Sequence, residues 1–219
     1  MFVGISVIDV TSNPARVPDR VTGLPNLSAF QEAANGRLTK YPAEPFAIFK
    51  IEMRRIHELN VTFGFDSGDE AARQFGERLR DLVGAASFVA RVESRAFAAL
   101  IPVQVPWGGN FRGLAAAVVA AFEEPLLIHG EPITVEATVG MSFYPGHARD
   151  AEFLFRHASV AREVAETDPT VSRYGTRVGT SWPSAISRCW ATCAPRWTMA
   201  DVPPLPAAHR PLQPPGIRR

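Results

Sequence analysis

Lysine is almost missing from this chain. Of 23 basic residues only Lys40 and Lys50 are lysines, and the rest are arginines. With so much Ala and Pro, that bias reflects a GC-rich genome rather than a function. An excess of charge of either sign is missing too. Twenty-three basic residues face 22 acidic ones, so the one-signed surface that a nucleic-acid partner needs is not implied. Cysteine is scarce: Cys189 and Cys193 stand alone in a CxxxC spacing with no His or Cys partners. They read as two unpaired thiols rather than a metal site. No apolar run approaches the roughly 20 residues of a membrane span. The start, "MFVGISVIDV", has neither a basic segment nor a small-residue cleavage site. No signal peptide is expected, and the expected location is cytoplasmic.

What is present suffices for one domain. The chain has 219 residues, 46% of them hydrophobic, enough for a core plus appendages. Composition changes near Gly179. Residues 180–219 hold both cysteines, three of the four tryptophans, eight of the nineteen prolines and a single acid, Asp201. No hydrophobic period runs through them, and a Pro-rich segment of this kind is expected to be a disordered tail.

Before the tail, helical and strand patterns alternate. Residues 27–39 suit a helix with Phe30, Ala33 and Leu38 as its apolar positions. "FAIFKIEM" (46–53) is a strand. "DEAARQFGERLRDLV" is an amphipathic helix with Ala71, Phe75, Leu79, Leu82 and Val83 on one face and Asp69 as its expected N-cap. A hairpin follows in "VARVESRAFAALIPV". Its turn, Glu93-Ser94-Arg95-Ala96, lacks the Gly, Asn or Asp that tight hairpins favour. Residues 111–123 form a helix through Phe111, Leu114, Ala115, Val118 and Phe122. "LLIHGEPITVEATVGMSFY" reads as two strands around His129-Gly130-Glu131, and 151–166 as a last helix. The order α-β-α-β-β-α-β-β-α predicts an α+β fold, a mainly antiparallel central sheet flanked by helices.

Four fragments then fall into one pattern. "DRVTGLPNLSAF" resembles the D-x-x-T-G-L-x-N-x-x-x-F opening of GGDEF domains, the diguanylate cyclase family, at Asp19, Thr22, Gly23, Leu24, Asn26 and Phe30. "IEMRRIHELNVTFGFDSGDEA" resembles the D-L-D-x-F-K-x-I-N-D-x-x-G-H-x-x-G-D segment at Asn60, Gly64, Gly68 and Asp69. "RVESRAFAAL" falls where that family writes R-x-G-G-D-E-F-x-x-L, and keeps Arg91, Phe97 and Leu100. "TVGMSFYPGHARDAEFLFRHASVA" resembles the closing strand, Y-P turn and last helix. The resemblance covers Asp19 to about Glu166. It implies a palm fold like that of nucleotidyl cyclases over 19–178, after an N-terminal lead of residues 1–18 and before a tail of 179–219.

The resemblance also implies an activity: condensation of two GTP molecules to cyclic di-GMP by a homodimer. Two metal ions, carboxylates to hold them and a Gly-Gly turn approaching the phosphates would serve it. This chain departs from that plan. The first metal carboxylate is Glu52, one methylene longer than Asp. The Gly-Gly positions are Glu93 and Ser94, and a Glu93 side chain would crowd and repel phosphate. The acid completing the metal site is Arg95, which cannot ligate a cation, and the next acid is Ala96. In the last helix a phosphate-contacting Lys is replaced by Glu166. The product-binding R-x-x-D is lost at Gly84 to Ser87. No cofactor is expected, with Mg²⁺ needed only by an active site.

Asn60 and Asp69 match the pair that reads guanine in the family. Two readings stay open for them: a guanine-binding pair, or a helix end and a helix cap without a ligand. Glu52 and Arg95 lie on adjacent strands if the fold is kept. They are expected to pair, in place of the metal bridge, or else to stay solvated.

The tail carries a second pattern. Read in a shifted frame, the codons of Cys189-Trp190-Ala191 force Leu and Gly, and those of Trp197-Thr198-Met199-Ala200 force Asp and Gly. The other positions permit a sequence resembling the helix between a GGDEF domain and an EAL phosphodiesterase domain. A frameshift before Arg188 is therefore expected, with an EAL domain as partner in the full-length protein. Three functions compete: an inactive GGDEF-like module retaining GTP or partner binding, an active diguanylate cyclase, and a truncated product without activity.

Overall fold

The computed structural model describes residues 17–103 and 110–167, and the backbone of 178–180. Cys189, Cys193, the shifted-frame segment and nearly all of the N-terminal lead lie outside the described residues.

The elements run α1 (Leu27–Lys40), β1 (Phe46–Arg54), α2 (Ile56–Phe63), α3 (Phe65–Val83), β2 (Phe88–Glu93), β3 (Ala96–Pro102), α4 (Phe111–Ala121), β4 (Leu126–Ile128), β5 (Glu131–Ile133), β6 (Glu136–Tyr144), α5 (Ala151–Thr167) and β7 (Val178–Thr180). The main sheet has the order β2-β3-β1-β6-β7, antiparallel except where β7 pairs with β6 in parallel. The fold is the expected α+β sandwich. Gly179 and Thr180 pair in β7, so the sheet reaches two residues past the boundary placed at 178.

β1 is buried on both faces, as a central strand covered by helices must be. Ala47, Phe49, Ile51 and Met53 join one core with α3 and α4, where Phe75 stacks on Phe122 and on Phe97. Phe46 and Ile48 face the other way, into a second core with α1 and α5. Lys50, Glu52 and Arg54 share that second face by the two-residue period of a strand. It is this alternation that delivers charged groups beneath α5.

Four expectations need correction. α1 buries Phe30 and Ala34 rather than Ala33. α3 starts at Phe65 after Gly64, so Asp69 lies one turn inside the helix and does not cap it. A short α2 precedes it, entered through Arg55 at φ 64° and left through Gly64 at φ 87°. Segment 126–144 forms three strands, with β4 and β5 as a separate two-stranded sheet turned at His129 (φ 51°) and Gly130 (φ 86°).

α5 sits unusually close to the sheet. A Cβ on Gly140 of β6 would lie 2.1 Å from the Ala158 carbonyl oxygen and 2.3 Å from the Arg162 nitrogen. Backbone cannot yield as a side-chain tip can, so only glycine lets the helix settle at this height. That approach sets the level of Arg162 over β1.

The turn after β6 holds a histidine that stays neutral. Burial, and then the neighbouring His157, push His147 down to about 4. Its Nδ1 accepts the Phe143 backbone N–H at 3.3 Å. The unfolded chain takes this proton near 6.5, the folded chain only near 4. The contribution is intact above 6.5 and is lost as pH falls toward 4, because the unfolded state then binds the extra proton. Melting temperature should therefore drop across that window, and the drop should shrink in His147→Gln; an equal slope in both would refute the assignment.

Candidate functional site

The turn between β2 and β3 is tight without glycine because the strand before it is bulged. Arg91 pairs with Phe97 and Glu93 with Ala96, leaving Val92 as the extra residue. A bulge increases local twist, which supplies what positive φ would otherwise supply. Arg91 clamps the turn by donating to the Ser94 carbonyl oxygen at 2.5 Å. Asp19 holds Arg91 in turn, Oδ1 to Nη1 at 3.0 Å, and accepts from the Thr22 N–H and hydroxyl at 2.8 Å each. Burial alone would raise the Asp19 pKa. The hydrogen bonds from Thr22 and Arg91 outweigh it and hold the carboxyl below the ordinary aspartate value. Gly23 turns this loop at φ 69°. Leu24 then packs where Gly76 has no side chain, beside Phe97.

Beyond the turn lies a network of alternating charge. The expected pair is present: Arg95 Nε is 2.8 Å from Glu52 Oε1. The other carboxylate oxygen is also taken, with Glu52 Oε2 lying 2.5 Å from Arg162 Nη1 on α5. The same Nη1 lies 2.6 Å from Glu166 Oε2, and Glu166 Oε1 lies 3.6 Å from Arg54. Glu163, mostly exposed, approaches Arg162 to 3.6 Å. Glu93 also has a partner: its Oε1 lies 2.6 Å from Lys50 Nζ. The charge expected to repel phosphate therefore has a basic partner.

Arg162, Lys50 and Arg54 were not singled out by sequence. The available signal was the even positions of β1, which put 50, 52 and 54 on one face with too many charges for a core.

The residues do not fit a divalent cation. Mg²⁺ needs free oxygen ligands. Glu52 has both oxygens engaged by guanidinium groups, and Arg95 offers no lone pair. No group of three or more His, Cys, Asp or Glu suited to a metal occurs among the described residues.

Asn60 and Asp69 fall on α2 and α3. The Asn60 Oδ1 is buried without a hydrogen-bond partner in the protein. It lies against Gly68, where a Cβ would come within 1.9 Å. Asp69, next in sequence, is exposed. Neither side chain caps a helix, and the Asn60 amide fills the space that Gly68 leaves.

Unequal exposure ranks the two arginines on Glu52. Arg162 is 12% exposed and Arg95 57%. Arg162→Ala should cost about 3 kcal/mol by leaving the buried Glu52 short of a partner. Arg95→Ala should cost no more than about 1 kcal/mol, as an exposed pair does. Urea unfolding of both variants checks this, and equal losses would mean that burial does not set the difference.

Comparison with known proteins agrees with this architecture. The family profile "Diguanylate cyclase, GGDEF domain" matches residues 17–170. The chain is 27% identical over 162 residues to the diguanylate cyclase TpbB of Pseudomonas aeruginosa, covering 71% of this chain and 36% of that protein. It is 26% identical over 145 residues to the cyclic di-GMP phosphodiesterase NbdA of the same organism, covering 65% and 18%. The chain thus spans well under half the length of these relatives. A sensory box/GGDEF family protein from Caulobacter crescentus superposes with a TM-score of 0.61 at 27% identity, over 68% of this chain and 97% of that one. No helix among the described residues is long and apolar enough to cross a membrane. Fold, motif order and profile agree, and the chain belongs to the GGDEF domain family.

Proposed function

We propose that this chain is a catalytically inactive GGDEF module of cyclic di-GMP signalling that retains guanine-nucleotide binding. One observation carries the reading: both oxygens of Glu52 are held by Arg95 and Arg162. Two-metal phosphoryl transfer concentrates positive charge on the reacting phosphate through carboxylate-held ions. Here the carboxylate is spent on guanidinium groups, so the ions have no holder. Retained binding is supported by the unpartnered Asn60 Oδ1, which suits a guanine N–H, and by Asp69 exposed beside it.

Incubating the protein with GTP and Mg²⁺ tests the reading. Saturable GTP binding with no cyclic di-GMP is expected. Product formation would restore the active-cyclase reading, and absence of both would leave a truncated product without activity.

The shifted-frame reading of residues 189–200 favours a further element of the proposal, an EAL domain following this module in a longer protein. The cyclic di-GMP phosphodiesterase NbdA, of which this chain spans 18%, is consistent with such a setting. The coding nucleotides decide it: an EAL-like continuation in the shifted frame is expected, and none there would remove this partner.

A further inference from the structure

A guanidinium group that displaces a metal ion also brings a positive charge of its own. Arg95 spends Nε on Glu52 and makes no other side-chain hydrogen bond or ion pair among the described residues. Guanidinium has five N–H donors, so the donors on both terminal nitrogens remain. They sit on a side chain that is 57% exposed. Their planar fork matches two oxygens of a phosphate group.

The surroundings favour that use. Glu52 fixes Arg95 at Nε, so less side-chain freedom is lost when its outer edge binds. Glu52 does not cancel the charge alone, because Arg162 shares it. The acids expected to repel phosphate are matched by bases: Glu93 by Lys50, and Glu166 by Arg162 and Arg54. Glu163 lies toward Arg162, at 3.6 Å. No acid other than Glu52 contacts Arg95 among the described residues.

We infer that Arg95 takes the place of the divalent cation itself, and that the site binds the phosphates of a guanine nucleotide through this guanidinium without Mg²⁺. The inference rests on the reading above, in which nucleotide binding survives the loss of chemistry. It differs from family practice in one measurable respect. A metal-bridged nucleotide loses affinity when the metal is chelated, whereas a guanidinium-held one does not.

Calorimetric titration of the full chain tests it, with GTP and with guanosine, each in excess Mg²⁺ and in EDTA. The expected result is the same Kd for GTP under both conditions. Arg95→Ala should weaken GTP about tenfold, the scale of a charge-assisted hydrogen bond, and leave guanosine unchanged. Arg95→Gln, which keeps a planar donor without the charge, should weaken GTP in the same direction. Melting curves of both variants establish that they fold. Loss of GTP binding in EDTA, an unaltered Kd in Arg95→Ala, or no GTP binding at all would overturn the inference. If GTP still binds in Mg²⁺ and no product forms, the inactive-module reading stands by itself, whereas no GTP binding and no product would overturn both. Cyclic di-GMP in a parallel assay would overturn both, because that reaction needs the metal that Arg95 excludes.

Discussion

Glu52 is where three parts of the molecule meet. It stands on β1, and its two oxygens bind Arg95 from the β2–β3 turn and Arg162 from α5. A buried carboxylate with one partner would be an expense to the fold, since charge is costly to desolvate. With two partners it becomes a staple between strand, turn and helix. The staple exists only because α5 lies low on β6, and α5 lies low because residue 140 has no side chain. A backbone contact on one strand thus decides whether the ionic contact on the neighbouring strand can form.

The residues that carry the family resemblance divide by their physical task. Asp19, Thr22, Gly23 and Arg91 bind the opening loop to the base of the hairpin. Phe97, the last residue of the altered turn motif, is fully buried and stacked on Phe75. None of these tasks involves phosphate or metal. They hold whether the turn reads Glu-Ser-Arg-Ala or Gly-Gly-Asp-Glu, so the fold can be kept while its chemistry is replaced. The altered positions, Glu52, Glu93, Arg95 and Glu166, instead each take part in an ion pair. Each change of sign has a neighbour that answers it.

That division explains what was legible. Strand register follows from period-two burial, so the Glu52–Arg95 pair could be read from two motifs on adjacent strands. Arg162 could not, because its reach depends on how closely a helix approaches the sheet, which a hydrophobic period does not encode. Lys50 escaped for a related reason: it lies within an apolar run, and the groups that make its burial tolerable, Glu93 and the Phe155 ring, come from other elements. Local signals misled where two of them competed. Asp69 has a capping side chain, but Gly64 at positive φ offers a sharper break five residues before it. The third strand of segment 126–144 was hidden because β4 and β5 have three residues each, too short to show alternation.

The exchange of a metal bridge for an arginine bridge also changes what the site responds to. A bound divalent cation is a ligand, and its occupancy follows its concentration. An arginine belongs to the chain, so its charge is always present and its geometry forms with the fold. In the metal design, phosphate affinity and phosphate chemistry arise from the same ions and cannot be separated. A guanidinium can still offer the fork of donors that holds a phosphate. It cannot bind or activate the attacking oxygen as a metal ion does. If Arg95 holds phosphate as proposed, recognition and reaction are separated at a single side chain, and a module built this way can report on a nucleotide without consuming it.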